Sequence, residues 1–121
     1  MTIVVWSGVF LIGGLGSVLR FVVDGAVASK RGRDFPYGTL VINVTGAVIL
    51  GFVTGLALGS DGALLAGTAA VGSYTTFSTW MFETERLSEE REAGSAATNV
   101  VGSLVLGVAA AAVGKAIGAA L

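Results

Sequence analysis

The sequence contains no cysteine and no histidine, which excludes a disulfide framework, a zinc cluster and histidine-based acid–base chemistry. Carboxylates, hydroxyls and amides are the only reactive groups left. Charge is scarce: Asp, Glu, Lys and Arg make up 12% of the 121 residues, and the net charge of -1 gives no sign of a nucleic-acid partner. No P-loop pattern occurs, so nothing points to nucleotide-driven work or to an enzyme. Proline occurs once, at Pro36. What is abundant is apolar surface, at 54% hydrophobic residues together with 19 glycines. That balance is too apolar for a soluble domain of this length and reads as an integral membrane protein, all-α and built as one domain over residues 1–121.

A membrane-crossing helix needs about 20 mostly apolar residues, and the chain offers four such windows: Ile3 to Val23, Tyr37 to Leu58, Ala63 to Phe82, and Ser95 to about residue 120. Ala26-Val27-Ala28 resembles a signal-peptide cleavage site, but the leader lacks a basic start and carries Arg20, so the first helix is expected to stay in the mature protein. "DGAVASKRGRDFP" separates the first two spans, with Pro36 marking entry to the second. "GSDG" (Gly59 to Gly62) reads as a tight reversal, making spans two and three antiparallel, and "ETERLSEEREAG" as a soluble turn or a helix extension.

Glycines recur within the spans, among them Gly46, Gly51 and Gly55 in the second and Gly107, Gly114 and Gly118 in the fourth. Small residues let membrane helices approach closely, and four helices are few to enclose a polar path, so an oligomer is expected. Four spans put both termini on one face. Lys30, Arg31, Arg33, Arg86 and Arg91 fall on the opposite, loop-bearing face, with Arg20 near it and Lys115 alone on the terminal side. The positive-inside rule then places the loops in the cytoplasm and the termini outside, in a multi-pass protein of the cell membrane.

The polar residues inside the spans carry the functional signal. "VGSYTTFSTW" sets Ser73, Thr75, Thr76, Ser78 and Thr79 within seven residues of the third span. Isolated hydroxyls in a membrane helix bond back to the preceding turn. This density suits a helix broken at mid-membrane, although a straight polar face is the simpler reading. Carbonyls freed at such a break are a recurring way to hold a small cation. Phe77 and Trp80 lie three apart, on one side of the helix that follows, and offer ring edges of positive electrostatic character. Asn43, with Thr39 one turn earlier, is an amide in the centre of the second span, and Asn99 and Ser103 repeat that spacing in the fourth. Each is compatible with an interhelical hydrogen bond or with a polar pathway. No acidic residue is expected near a span's centre, so the path suits an anion or a neutral solute rather than a proton-coupled cation.

"GGLGSVLRF" (Gly13 to Phe21), "YGTLVINVTGAVILG" (Tyr37 to Gly51) and "GSYTTFSTW" (Gly72 to Trp80) resemble, in order and spacing, the signature segments of the Fluc fluoride channels, also called CrcB proteins. The resemblance covers nearly the whole chain. It implies an antiparallel, inverted dimer of four-helix subunits with two fluoride pores and one structural sodium ion on the dimer axis. By match of motif, the sodium-binding carbonyls are those of Gly72 and Thr75. Asn43, Phe77, Trp80, Asn99 and Ser103 line the pore, with Thr39, Ser78, Thr79 and Arg20 along it, Arg20 in a vestibule or at the headgroup boundary. The family usually carries two phenylalanines where this chain has Phe77 and Trp80, so the bulkier indole puts conduction past Trp80 in question.

Two other readings stand beside a passive channel that exports cytoplasmic fluoride. A small multidrug-type antiporter is also a four-span antiparallel dimer, but it needs a mid-membrane carboxylate. A non-conducting subunit or scaffold leaves Asn43 and the hydroxyl cluster without a task. The biased charge count favours pairing with a homologous subunit of opposite orientation over a homodimer of dual topology.

Overall fold

The computed structural model describes residues 2–121. Helix α1 (Ile3–Arg31) is capped by Thr2, whose hydroxyl accepts the Val5 N–H at 3.2 Å. It does not stop at Val23. Lys30 and Arg31 sit in its last turn, where they complement the helix dipole, and Gly32 ends it at φ 74° while donating its N–H to the Ala28 carbonyl at 2.8 Å. At 1.5 Å per residue such a helix is roughly 44 Å long, well beyond the hydrocarbon thickness of about 30 Å. The segment from Asp24 onward, expected to be a connection, is therefore largely helix.

Helix α2 (Tyr37–Gly55) follows Pro36 and ends earlier than expected, before Leu58. The reversal is made by Leu56 to Gly59, with Ala57 at φ 53°, because Ser60, Asp61 and Gly62 already belong to the next helical turn. The third pass comes in pieces. A short α3 (Ser60–Ala63) runs into a π-helical segment (Leu64–Val71) and a single turn, α4 (Gly72–Tyr74). Thr75 and Thr76 are extended, and α5 (Phe77–Glu89) resumes. The straight-helix reading of this stretch is thus overturned in favour of the break. Helix α5 also runs past Phe82, which makes "ETERLSE" a helix extension. The last helix, α6, spans Ala93–Ala119.

Helices α1, α2 and α6 are each long and apolar enough to cross a membrane. With the broken third segment they form an all-α bundle of a multi-pass membrane protein. α1 and the third pass run parallel to one another, as do α2 and α6. The α2–α6 seam is closed by two glycine pairs one turn apart. A methyl group at Gly51 or Gly55 would run into the α6 backbone at Ala111 and Lys115, and one at Gly114 or Gly118 into the α2 backbone at Val48 and Phe52. Gly14 and Gly107 have open space beside them. Helix α1 buries no residue completely, and Trp6, Phe10, Leu15 and Phe21 are exposed along it. The Arg86 guanidinium, in the last turn of α5, donates to the Arg33 and Asp34 carbonyls at 3.0 and 3.5 Å, tying the α1–α2 loop to α5.

Candidate functional site

The break in the third pass is built by one side chain of α2. In an unbroken helix the Thr76 N–H would bond to the Gly72 carbonyl. Here it donates to Asn43 Oδ1 at 2.9 Å, while Asn43 Nδ2 donates to the Thr76 carbonyl, also at 2.9 Å. Asn43 thereby satisfies both polar groups of Thr76 at a depth where no water replaces them. The paired bonds also fix the amide's orientation, since a flipped amide would set donor against donor and acceptor against acceptor. Of the two Nδ2 hydrogens, one is used by Thr76 and one is left over. Thr76 itself caps α5, its hydroxyl accepting the Thr79 N–H at 3.2 Å.

Beside this junction lies an open groove of about 390 Å³ between α2, α5 and α6. Asn43, Thr75, Thr76, Phe77, Trp80 and Ser103 supply its polar and aromatic lining, and no charged side chain lines it. Phe77 and Trp80 meet edge to face, with centroids 5.7 Å apart and planes at 82°. Phe77 is 70% exposed on the groove's open side. Trp80 is anchored from behind: its Nε1–H donates to the Asn99 carbonyl at 3.0 Å. The Asn99 side chain is buried in the α5–α6 seam, 1% exposed, donating to the Thr84 hydroxyl at 2.8 Å.

Of the residues singled out in the sequence, Asn43, Phe77, Trp80 and Ser103 are brought together at this groove. Asn99, Thr39, Ser78, Thr79 and Arg20 are not among its lining residues. Ser78 and Thr79 are exposed on the first turn of α5. Thr39, 2% exposed, donates its hydroxyl to the Glu83 carboxylate. Arg20 is not at the end of α1. Because α1 continues to Arg31, Arg20 lies roughly 16 Å inside it and donates to the Thr75 carbonyl at 3.3 Å.

Gly72 and Thr75 line a second groove, on the other side of the break, with Leu50 and Val71. Among the described residues no cluster of acidic side chains is suited to a metal, but backbone carbonyls are hard oxygen donors of the kind a small cation takes. The extended conformation at Thr75 and Thr76 frees the Gly72 carbonyl from its helical partner, which leaves one oxygen donor of the kind a monovalent cation takes. Arg20 already occupies one lone pair of the Thr75 oxygen and places a positive charge beside any such ion.

Three participants were not singled out by role in the sequence: Thr76 as the peptide unit held by Asn43, Glu83 as the partner of Thr39, and Thr84 as that of Asn99. The first lay within the hydroxyl cluster. The other two look like ordinary residues near a helix end.

The family model described as "CrcB-like protein, Camphor Resistance (CrcB)" matches residues 7–115. The chain belongs to the CrcB-like family. Relatives of this CrcB-like chain include proteins named fluoride-specific ion channel FluC 2. The one from Mycobacterium tuberculosis is 62% identical over 95% of this chain and 91% of its own. The one from Mycolicibacterium paratuberculosis is 65% identical over 94% and 93%. A protein of Leifsonia xyli named fluoride-specific ion channel FluC 1 is 43% identical over 94% of this chain and 86% of its own. The similarity to the mycobacterial proteins spans every element described above.

Proposed function

We propose that this CrcB-like chain is a subunit of a fluoride-conducting channel that lets cytoplasmic fluoride leave down its own gradient, as an ion channel and not an enzyme. The observation that carries the reading is the groove itself, an apolar cleft in which a few polar and aromatic side chains are set and no charged one. Fluoride is small and tightly hydrated, so a path for it must replace water with hydrogen-bond donors. The spare Asn43 N–H, the Ser103 hydroxyl and the positive edges of Phe77 and Trp80 are such donors. A fixed cation in the groove would hold the ion too firmly to release it, and a carboxylate would repel it. The relatives' names point the same way.

The groove is open on the side of Phe77, and α1 leaves a long apolar face uncovered. A second subunit, inverted with respect to the first, would wall both, giving an antiparallel dimer with one pore per groove. Gly72 and Thr75 of each subunit would hold a structural sodium ion near the dimer axis, where it would tie the two broken helices together. The loop-bearing faces follow the positive charge into the cytoplasm in the preferred orientation.

Efflux from liposomes holding the purified protein tests this reading. Rapid fluoride loss, with chloride retained and no proton gradient imposed, is expected. Equal chloride efflux would refute fluoride selectivity, and flux that requires a proton gradient would favour the antiporter. Flux that appears only on adding a homologous subunit would mark this chain as the non-conducting half of a heterodimer.

A further inference from the structure

Several hydroxyls in these helices bond back to their own helix, and Ser103 does not. The Thr54, Ser73, Thr84 and Thr98 hydroxyls each donate to the carbonyl four residues earlier, at 2.6 to 2.8 Å. The equivalent acceptor for Ser103 is the Asn99 carbonyl. That oxygen already takes the Ser103 N–H within α6, and its second lone pair takes the Trp80 indole N–H at 3.0 Å. The Ser103 hydroxyl is closed off from solvent in the subunit and, like Asn99 Oδ1 one turn earlier, has no partner among the described residues. A buried hydroxyl without a partner costs free energy, so its retention calls for a reason. Ser103 lines the groove beside Asn43 and Phe77, and also a separate cavity of about 290 Å³ bounded by Tyr37, Ser95 and Thr98. It stands where the two spaces meet.

We infer that Trp80 is a positioning residue: by filling the Asn99 carbonyl it keeps the Ser103 hydroxyl from folding back onto its own helix and leaves that O–H as a donor for the permeating anion. The inference rests on the channel reading above for its consequence, but the positional claim stands on geometry alone. Indole is suited to the task because it is a donor without an acceptor, so it occupies the carbonyl and offers nothing to the hydroxyl. Phenylalanine at the same place would keep an aromatic ring and leave the second lone pair of Asn99 open to Ser103.

A double-mutant cycle with a structural arm tests the inference. In liposomes, Ser103→Ala should slow fluoride efflux about tenfold, the worth of one hydrogen bond to a charged partner. Trp80→Phe should slow it by a similar factor. With Phe at 80, the further change Ser103→Ala should cost less than about twofold, because the hydroxyl has already been withdrawn. A full cost of Ser103→Ala in both backgrounds overturns the coupling. In a crystal structure of Trp80→Phe, Ser103 Oγ should lie within hydrogen-bond distance of the Asn99 carbonyl; an Oγ that stays unpaired overturns the inference. Absence of fluoride efflux from the unmodified protein would instead sink the channel reading, and the crystal structure would still decide the position of Ser103.

Discussion

Asn43 and Thr76, 33 residues apart, form a closed pair in which one side-chain amide replaces the two hydrogen bonds that a peptide unit loses where its helix breaks. The pair joins fold and function. It holds the third pass open at Thr75 and Thr76, and it leaves one amide hydrogen unused on a residue that lines the groove.

Asn43→Asp keeps the acceptor for the Thr76 N–H but sets a carboxylate oxygen against the Thr76 carbonyl. The folded protein should lose about 1–3 kcal/mol of stability, the penalty for a buried polar group left without its partner. Fluoride efflux should fall at least tenfold, since the spare donor is gone and a negative charge faces the path. Denaturation in detergent measures the first effect and liposome efflux the second. Unchanged efflux from a destabilised variant would reduce Asn43 to a structural clamp.

Phe77→Ile separates packing from conduction. Phe77 is largely exposed in the subunit, so its replacement leaves no cavity in the subunit's core, and the helix content and oligomeric mass should stay close to the parent's. Efflux should be lost, because isoleucine is apolar but has no positive edge. Normal flux would remove Phe77 from the pathway.

The glycine seam makes a purely structural prediction. Gly114→Ala places a methyl group against the α2 backbone at Val48, which cannot rotate away as a side chain would. Overpacking of this kind costs about 1–3 kcal/mol. Gly107→Ala meets open space and should be nearly neutral. Thermal unfolding of the two variants side by side checks the contrast.

The break was legible because hydroxyls crowd into Ser73 to Thr79, a density that a lipid-facing helix does not tolerate. Asn43 was legible as a misplaced amide, but its partner was not: a bond to backbone leaves no mark on the residue that supplies the backbone. The ends of α1 and α5 were misjudged for a related reason. Hydropathy reports where an apolar run stops, and the polar residues from Asp24 to Arg31 and from Glu83 to Glu89 continue as helix beyond it. The i, i+4 spacing of Asn99 and Ser103 put both on one stripe. Trp80 divides their tasks, binding the backbone of the first and releasing the side chain of the second, and spacing alone does not report that. The π-helical turn from Leu64 to Val71 had no sequence signal that we can identify.

Orientation in the membrane gives the last prediction. The basic residues Lys30, Arg31, Arg33, Arg86 and Arg91 gather at one end, where Arg86 of α5 binds the Arg33 and Asp34 carbonyls of the α1–α2 loop. Lys115 stands alone toward the other face. The neighbouring acids Asp34, Glu85, Glu89, Glu90 and Glu92 do not cancel this bias, because acidic residues contribute little to orientation. A chain so biased should insert one way, and an antiparallel dimer then needs a homologous subunit that inserts the other way. Ser60 is exposed at the start of the third pass, on the terminal face, and the protein has no other cysteine to confuse a label. Ser60→Cys, probed from outside intact cells with a membrane-impermeant thiol reagent, should label almost completely when the chain is expressed alone. Labelling of about half the chains is the outcome of unbiased insertion, in which basic residues fail to set orientation; it would establish dual topology and a homodimer instead.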